Sequence, residues 1–389
     1  MVHSRLSAQL DDLARRDLLR ARHVLEGPQG PRIVIDGREF LAFCSNDYLG
    51  LANHPRINAA TIEAVRRFGV GAGASPLVTG HNALHQSVEE KLAAFTGLPR
   101  ALHFPSGYQA NIGAITSLAG RGDAVFSDQL NHASLIDGMR LSRAEVVPYA
   151  HCDTDALGRS LAASGAKHKL VATDSVFSMD GDIAPLPAIL ALCERHDAWL
   201  LIDDAHGFGV LGTNGRGALE HFGLASPRIV YVGTLGKAAG VSGAFVAGQE
   251  EVVETLLQHA RTYMFSTAAP ALLAAAVEES LAVMRDEAWR RAHLAALIAT
   301  LKAGLAGSAA RLAPSDTAIQ PLIVGANAAA LALAESLRAR GILAPAIRPP
   351  TVPEGTARLR ISLSAAHSID DVGQLVKALR DELPSSACM

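Results

Sequence analysis

Seven short apolar runs between residues 100 and 248 set the strongest limit on what this chain can fold into: "RALHF", "DAVFS", "EVVPY", "KLVATD", "AWLLID", "RIVYVG" and "SGAFVAG". Helical patterns such as "GYQANIGAITSLAG" and "PLPAILALCERHD" separate them. Apolar strands that alternate with helices predict an α/β domain on a buried, mostly parallel, seven-stranded sheet. At 389 residues the chain exceeds the size of one ordinary core, so a large domain with a smaller companion is expected.

The flanks read differently. The first 23 residues place Leu6, Leu10 and Leu13 at helical spacing and predict an amphipathic helix with a basic far end. "RIVIDGREFLAF" then alternates around Asp36-Gly37, a strong hairpin signal. The alanine-rich stretch from 268 to 306 predicts long helices, and "TAIQPLIVG", "GILAPAI" and "ARLRISLS" predict strands of a smaller α+β unit. The expected organisation is an N-terminal helix and hairpin over 1–45 packing with the small domain, a large domain over 46–285 and a small domain over 286–389.

Composition excludes several classes. Hydrophobic residues make up 49% and charged residues 19%, without a run of about eighteen apolar residues or a basic-then-apolar leader, which predicts a soluble, cytoplasmic protein. The formal net charge is −3 and no stripe of Lys and Arg alternates with aromatics, so small molecules are expected as partners rather than nucleic acid or membrane. Cys44, Cys152, Cys193 and Cys388 are far apart, with no zinc-ligand spacing. Buried thiols in a reducing compartment, and no metal, is the expectation.

"GTLGKAAG" at 233–240 sets one lysine among glycines and alanines directly after an apolar run. A P-loop needs glycine five residues before its Gly-Lys pair and Ser or Thr after it, whereas Tyr231 and Ala238 stand there. A surface lysine in a turn is the plain alternative for such a pair taken alone. In an open α/β sheet, however, ligands sit outside the carboxyl ends of the strands. At those ends fall Ser106, Gly107 and Tyr108 after "RALHF", Asp174 and Ser178 after "KLVAT", Asp203, Asp204 and His206 after "AWLLI", and Thr234 and Lys237 after "RIVYVG". "PSGYQANIGA" also opens a helix, whose first N–H groups bind anions.

A lysine, a strand-end carboxylate and an anion socket together point to pyridoxal phosphate (PLP), which takes a Schiff-base lysine, an acid at its pyridine nitrogen and a phosphate seat. Singly, Asp203 reads as a helix cap, Ser106-Gly107 as a turn and His206 as one of 15 histidines; their joint placement favours the cofactor site. "GVGAGAS" at 69–75 is no dinucleotide fingerprint, because Pro76 replaces the third glycine and no strand precedes it. It is expected to be a flexible active-site loop.

Over nearly its whole length the chain resembles the α-oxoamine synthases, PLP enzymes of fold type I. The resemblance rests on "FCSNDYLGLANHP" (43–55), "FPSGYQAN" (104–111), "DQLNHASLIDG" (128–138), "DSVFSMDGDIAPL" (174–186), "IDDAHGFGVLG" (202–212), "GTLGKAAG" and "AIRPPTVPEGTARLRISL" (346–363). It implies that Lys237 forms the Schiff base and moves the α-proton, that Asp203 pairs with the pyridine nitrogen, and that His132 stacks on the ring. It further implies that His206 bonds the ring's phenolic oxygen with Ser178 in reach, and that Gly107, Tyr108 and Thr234 hold the phosphate. Ser266 and Thr267 would help from the partner subunit of a homodimer.

The same resemblance gives Arg348 to the amino-acid carboxylate, Asn46 to a second substrate contact, and Arg20 to a distal acyl carboxylate. Within the family the N-terminal stretch is most similar to enzymes that condense L-alanine with a pimeloyl thioester, carried by CoA or a carrier protein, on the way to biotin. Sister enzymes that use glycine share most of these motifs. Pro76, Phe265 and Asp174 depart from the family pattern.

Overall fold

The computed structural model of the chain describes residues 2–383. They divide into two compact units, one made of the described residues up to 48, 179–182 and those from 292 on, the other of 49–178 and 183–291. The helix–hairpin segment thus groups with the C-terminal residues, and the cuts fall at 48/49 and 291/292. The four residues 179–182 also belong to the smaller unit, which the sequence pattern did not indicate.

The smaller unit opens with a helix that ends at Arg15 rather than running through residue 23. Asp17 turns to φ +55°, and Leu18 N–H closes back on the Leu13 carbonyl at 2.8 Å. A left-handed residue stops helix propagation even where no glycine announces it. Strands β1 (Arg32–Ile35) and β2 (Arg38–Ala42) form the expected hairpin. Asp36 and Gly37 both have positive φ, as its two-residue turn requires.

The larger unit is built on seven strands: β3 (Arg100–Phe104), β4 (Ala124–Asp128), β5 (Glu145–Tyr149), β6 (Lys169–Asp174), β7 (Ala198–Asp203), β8 (Ile229–Thr234) and β9 (Ala244–Gly248). Their order is β3-β9-β8-β7-β6-β4-β5, and only β9 runs against its neighbours. β4, β8 and β9 are buried at every position, which is why their sequences lack polar alternation. β5 lies at the edge, is mostly exposed, and there tolerates Pro148, whose missing N–H would break an inner strand. The glycine-rich segment after the helix Pro55–Phe68 is a loop, with Gly69 and Gly73 at positive φ.

The smaller unit closes with β10 (Ile319–Gly325), β11 (Ile342–Leu343), β12 (Ala346–Ile347) and β13 (Ala357–Ser362). β11 extends the hairpin sheet, while β10, β13 and β12 form a second one. Gly181 is fastened here: its carbonyl accepts the hydroxyls of Ser315 at 2.9 Å and Thr317 at 3.0 Å. Buried Arg358 holds neighbouring Asp180 in an ion pair. Gly181 has φ +70°, and a Cβ there would overlap the Ile319 carbonyl oxygen. Gly181→Ala is therefore expected to lower stability by about 1–3 kcal/mol, read as a fall in the urea midpoint; an unchanged midpoint would show that the loop yields freely.

The cysteines are less uniform than expected. Cys193 is buried, Cys44 and Cys152 are half-buried, and Cys388 lies outside the described residues. Cys152 sits beside His151, whose Nδ1 is 3.0 Å from Asp128. The Asp128 carboxylate also accepts the N–H groups of Leu130 and Cys152, both at 2.8 Å. It clamps the ends of β4 and β5. The Cys152 sulfur lies 3.8 and 3.6 Å from the two ring nitrogens, a near-equality that places it off the lone-pair direction of either, so the trio is no preformed metal site.

Candidate active site

β3, β4, β6, β7 and β8 run parallel and bring their carboxyl ends to one edge of the larger unit. Lys237 follows β8 in a turn closed by hydrogen bonds from Gly240 N–H to the Lys237 carbonyl (2.8 Å) and from Val241 N–H to the Leu235 carbonyl (2.9 Å). Its Nζ lies 3.0 Å from Nε2 of buried His206, three residues beyond β7. The turn points the one long side chain of the segment back over the end of β7.

Asp203, the last residue of β7, is 3% exposed and registers with Asp174 at the end of β6. Its Oδ1 accepts the Ala205 N–H at 3.0 Å and its Oδ2 the Asn111 side-chain amide at 2.6 Å. His132 caps the helix Ala133–Ser142, and its own N–H donates to Asp174 at 2.7 Å. Burial lowers the His132 pKa; the Asp203 charge opposes this and the Lys237 charge adds to it. The ring is therefore neutral near pH 7. Burial, then repulsion from Asp203, raises Asp174 well above the usual carboxylate range, against the His132 N–H and Lys237.

Next door, burial pushes Asp204 up to about 6, opposed by its hydrogen bonds from Ser175, Tyr231 and the Ala218 N–H. The Tyr231 and Ala218 bonds measure 2.6 and 2.8 Å. Asp204 points away from the cleft edge into this buried network, so the two adjacent aspartates serve opposite sides of the strand, as strand alternation dictates.

The helix Gly107–Leu118, capped by Ser106, begins with backbone N–H groups of the kind that bind anions. A Cβ on Gly107 would come within 2.6 Å of Thr234 Cγ2, so the missing side chain lets the helix end close on Thr234. Tyr108 is 46% exposed and its hydroxyl bonds Asp137. Ser178 is half-buried on the loop after β6. Ser266 Oγ accepts Gln109 Nε2 of its own chain at 3.2 Å, beside exposed Thr267.

The substrate candidates belong to the smaller unit. Arg20 and Arg348 line one cavity of about 600 Å³ with Leu18, Leu19, Leu331 and Ile347. Arg348 donates to the Asp17 carbonyl and Arg20 to Thr351 at 3.2 Å. Asn46 lies outside that lining and accepts Tyr48 and Arg360, both at 3.2 Å. Sequence reading passed over Asn111 and Ser134, and gave Asp174 no role. The available signal was position: Asn111 is one helical turn past Gly107, and Ser134 two residues past His132.

The family model for aminotransferase class I and II matches residues 38–379. The chain belongs to this family. Among its relatives, the 8-amino-7-oxononanoate synthase of Nitrosospira multiformis is 60% identical over 376 residues, covering 97% of this chain and 95% of the relative. The enzyme of that name from Nitrosomonas europaea is 57% identical, covering 97% and 98%. Of solved structures, a serine palmitoyltransferase from Sphingomonas wittichii superposes with a TM-score of 0.91 at 33% identity, covering 97% and 95%. An SPT described with its PLP internal aldimine gives 0.92 at 31%, covering 97% and 96%. The 8-amino-7-oxononanoate synthase from Francisella tularensis gives 0.77 at 29%, covering 88% and 97%.

The family member is thus an α-oxoamine synthase of PLP fold type I and an acyl-transferring enzyme whose cofactor is PLP. Its residues fit that group: a lysine amine beside an imidazole, a buried carboxylate with fixed donors, and a helix start trimmed to glycine. Among the described residues no helix is long and apolar enough to cross a membrane.

Proposed function

We propose that the enzyme condenses L-alanine with a pimeloyl thioester, carried by CoA or a carrier protein, to 8-amino-7-oxononanoate, carbon dioxide and the free thiol, in biotin synthesis in the cytoplasm. The observation that carries this is the 55–60% identity, over almost the full length, to relatives named for that product. When bound, PLP draws electrons from a bond at the amino acid's α-carbon, which stabilises a carbanion there. The chain's residues would do the rest.

Lys237 would hold the cofactor through Nζ and carry the α-proton, with His206 at 3.0 Å keeping that amine in place and bonding the phenolic oxygen, and Ser178 assisting. Asp203 would keep the pyridine nitrogen protonated, and neutral His132 would cover the ring without adding a competing charge. Gly107, Tyr108 and Thr234 would hold the phosphate through N–H and O–H donors. Phe265 is 68% exposed next to Ser266 and Thr267, an apolar surface suited to a second copy of the chain. We therefore assign Ser266 and Thr267 to the partner's phosphate in a homodimer.

Arg348 would take the alanine carboxylate through its planar guanidinium, Arg20 the far carboxylate of the acyl chain, and Asn46 a further substrate contact. Arg348→Ala is expected to raise the alanine KM more than tenfold, since a charge-assisted hydrogen bond contributes about 1.5–3 kcal/mol. An unchanged KM would remove Arg348 from the site. The function itself is tested by thiol release with L-alanine, glycine or L-serine against pimeloyl-, acetyl-, succinyl- and palmitoyl-CoA. Fast release confined to alanine with pimeloyl-CoA is expected; preference for glycine and a short acyl group would move the enzyme to a sister reaction.

A further inference from the structure

We infer that Asn111 and Ser134 form a positioning relay that orients the Asp203 carboxylate and fixes His132 as its Nε2–H tautomer, an inference that rests on the roles proposed above for Asp203 and His132. Asn111 is 1% exposed and Ser134 is fully buried. The helices Gly107–Leu118 and Ala133–Ser142 bring them together because Gly138 is bare: a Cβ there would lie 3.3 Å from the Asn111 carbonyl and 3.1 Å from Ile115 Cδ1. Close helix approach and the side-chain contact thus have one cause.

Proton positions follow from the donor inventory. An ionised carboxylate only accepts, so the group 2.6 Å from Asp203 Oδ2 is the NH2 end of Asn111, and its second hydrogen points to Ser134 Oγ at 2.8 Å. The Ser134 hydroxyl lies 2.7 Å from His132 Nδ1 and, because that nitrogen accepts a backbone N–H, gives its proton to it. The Ser134 backbone N–H, at 3.3 Å, points to the same nitrogen. A ring nitrogen facing two donors carries no proton, which leaves the hydrogen of the neutral ring on Nε2.

The amide is there for its donors. Asn111 Oδ1 is buried with no hydrogen-bond partner among the described residues, whereas a leucine of similar size would fill the space without that orphaned acceptor. The surroundings also call for fixed donors. Asp174 and Asp204 both feel the Asp203 charge, as does His132, and the Lys237 charge also acts on His132 and Asp174. In this crowd a carboxylate free to rotate has several partners to turn toward. The bonds from Asn111 and Ala205 hold it in one orientation.

Two measurements test the relay. In apo protein labelled with 15N-histidine, the His132 signals should report the Nε2–H tautomer, persist in Ser134→Thr, and become a tautomer mixture in Ser134→Ala. A wild-type Nδ1–H ring, or a Ser134→Ala spectrum identical to wild type, overturns the inference. Asn111→Leu, Asp203→Ala and Lys237→Ala are then titrated with PLP and their absorption spectra recorded. Asn111→Leu should raise the PLP dissociation constant at least tenfold and shift the bound band. Wild-type behaviour of Asn111→Leu alongside a defective Asp203→Ala overturns the relay alone, whereas wild-type behaviour of Asp203→Ala and Lys237→Ala overturns the site reading beneath it.

Discussion

Lys237→Ala will give a folded protein that neither turns over nor shows the yellow absorbance of covalently held PLP. The turn that carries Lys237 is fixed by backbone hydrogen bonds, including Leu235 N–H to the Gly243 carbonyl at 2.9 Å, and none of these uses the side chain. Gly240, at φ +68°, packs so closely on Leu51 and Ala52 that the loop's path is set by the glycine, not the lysine. Since Lys237 is only half-buried, loss of its side chain should cost little stability. Removing a group that both binds the cofactor and moves a proton should lower turnover by roughly 10⁴–10⁶-fold. Absorbance, borohydride trapping and thiol release on the same preparation check this; an active, yellow variant would assign the chemistry to another residue.

The strands of the larger unit were legible because full burial on two faces forces continuous apolar runs, and their carboxyl ends then point to the site from position alone. The reversal at β9 had a signal only in connection length: residues 235–243 are too few for a parallel crossover from β8. Direct contacts such as Lys237 with His206 follow from neighbouring strand ends. Asn111, Ser134 and Asp174 work one layer further out, the first two on side chains and Asp174 on the His132 backbone N–H, so no ligand chemistry marks them in the sequence. The early stop of the first helix escaped for a related reason, since Asp17 takes a conformation usually announced by glycine.

The adjacent aspartates offer the sharper separation of chemistry from folding. Asp203→Asn keeps the volume and the Ala205 contact but removes the charge that would keep the pyridine nitrogen protonated. It should reduce kcat/KM by on the order of 10²–10³-fold and, because the new NH2 would face the Asn111 amide NH2, also lower the urea midpoint. Asp204→Asn should cost stability without touching the cofactor. Its carboxylate receives Ser175, Tyr231 and the Ala218 N–H, and an amide offers only one oxygen to these three donors. One donor would be left facing an NH2 group, which costs about 1–3 kcal/mol when buried. Stability should therefore fall while the PLP spectrum of the folded fraction stays as in wild type. If instead both variants lose activity and neither loses stability, Asp204 acts on the cofactor side of β7, and the division of labour drawn from strand alternation is wrong.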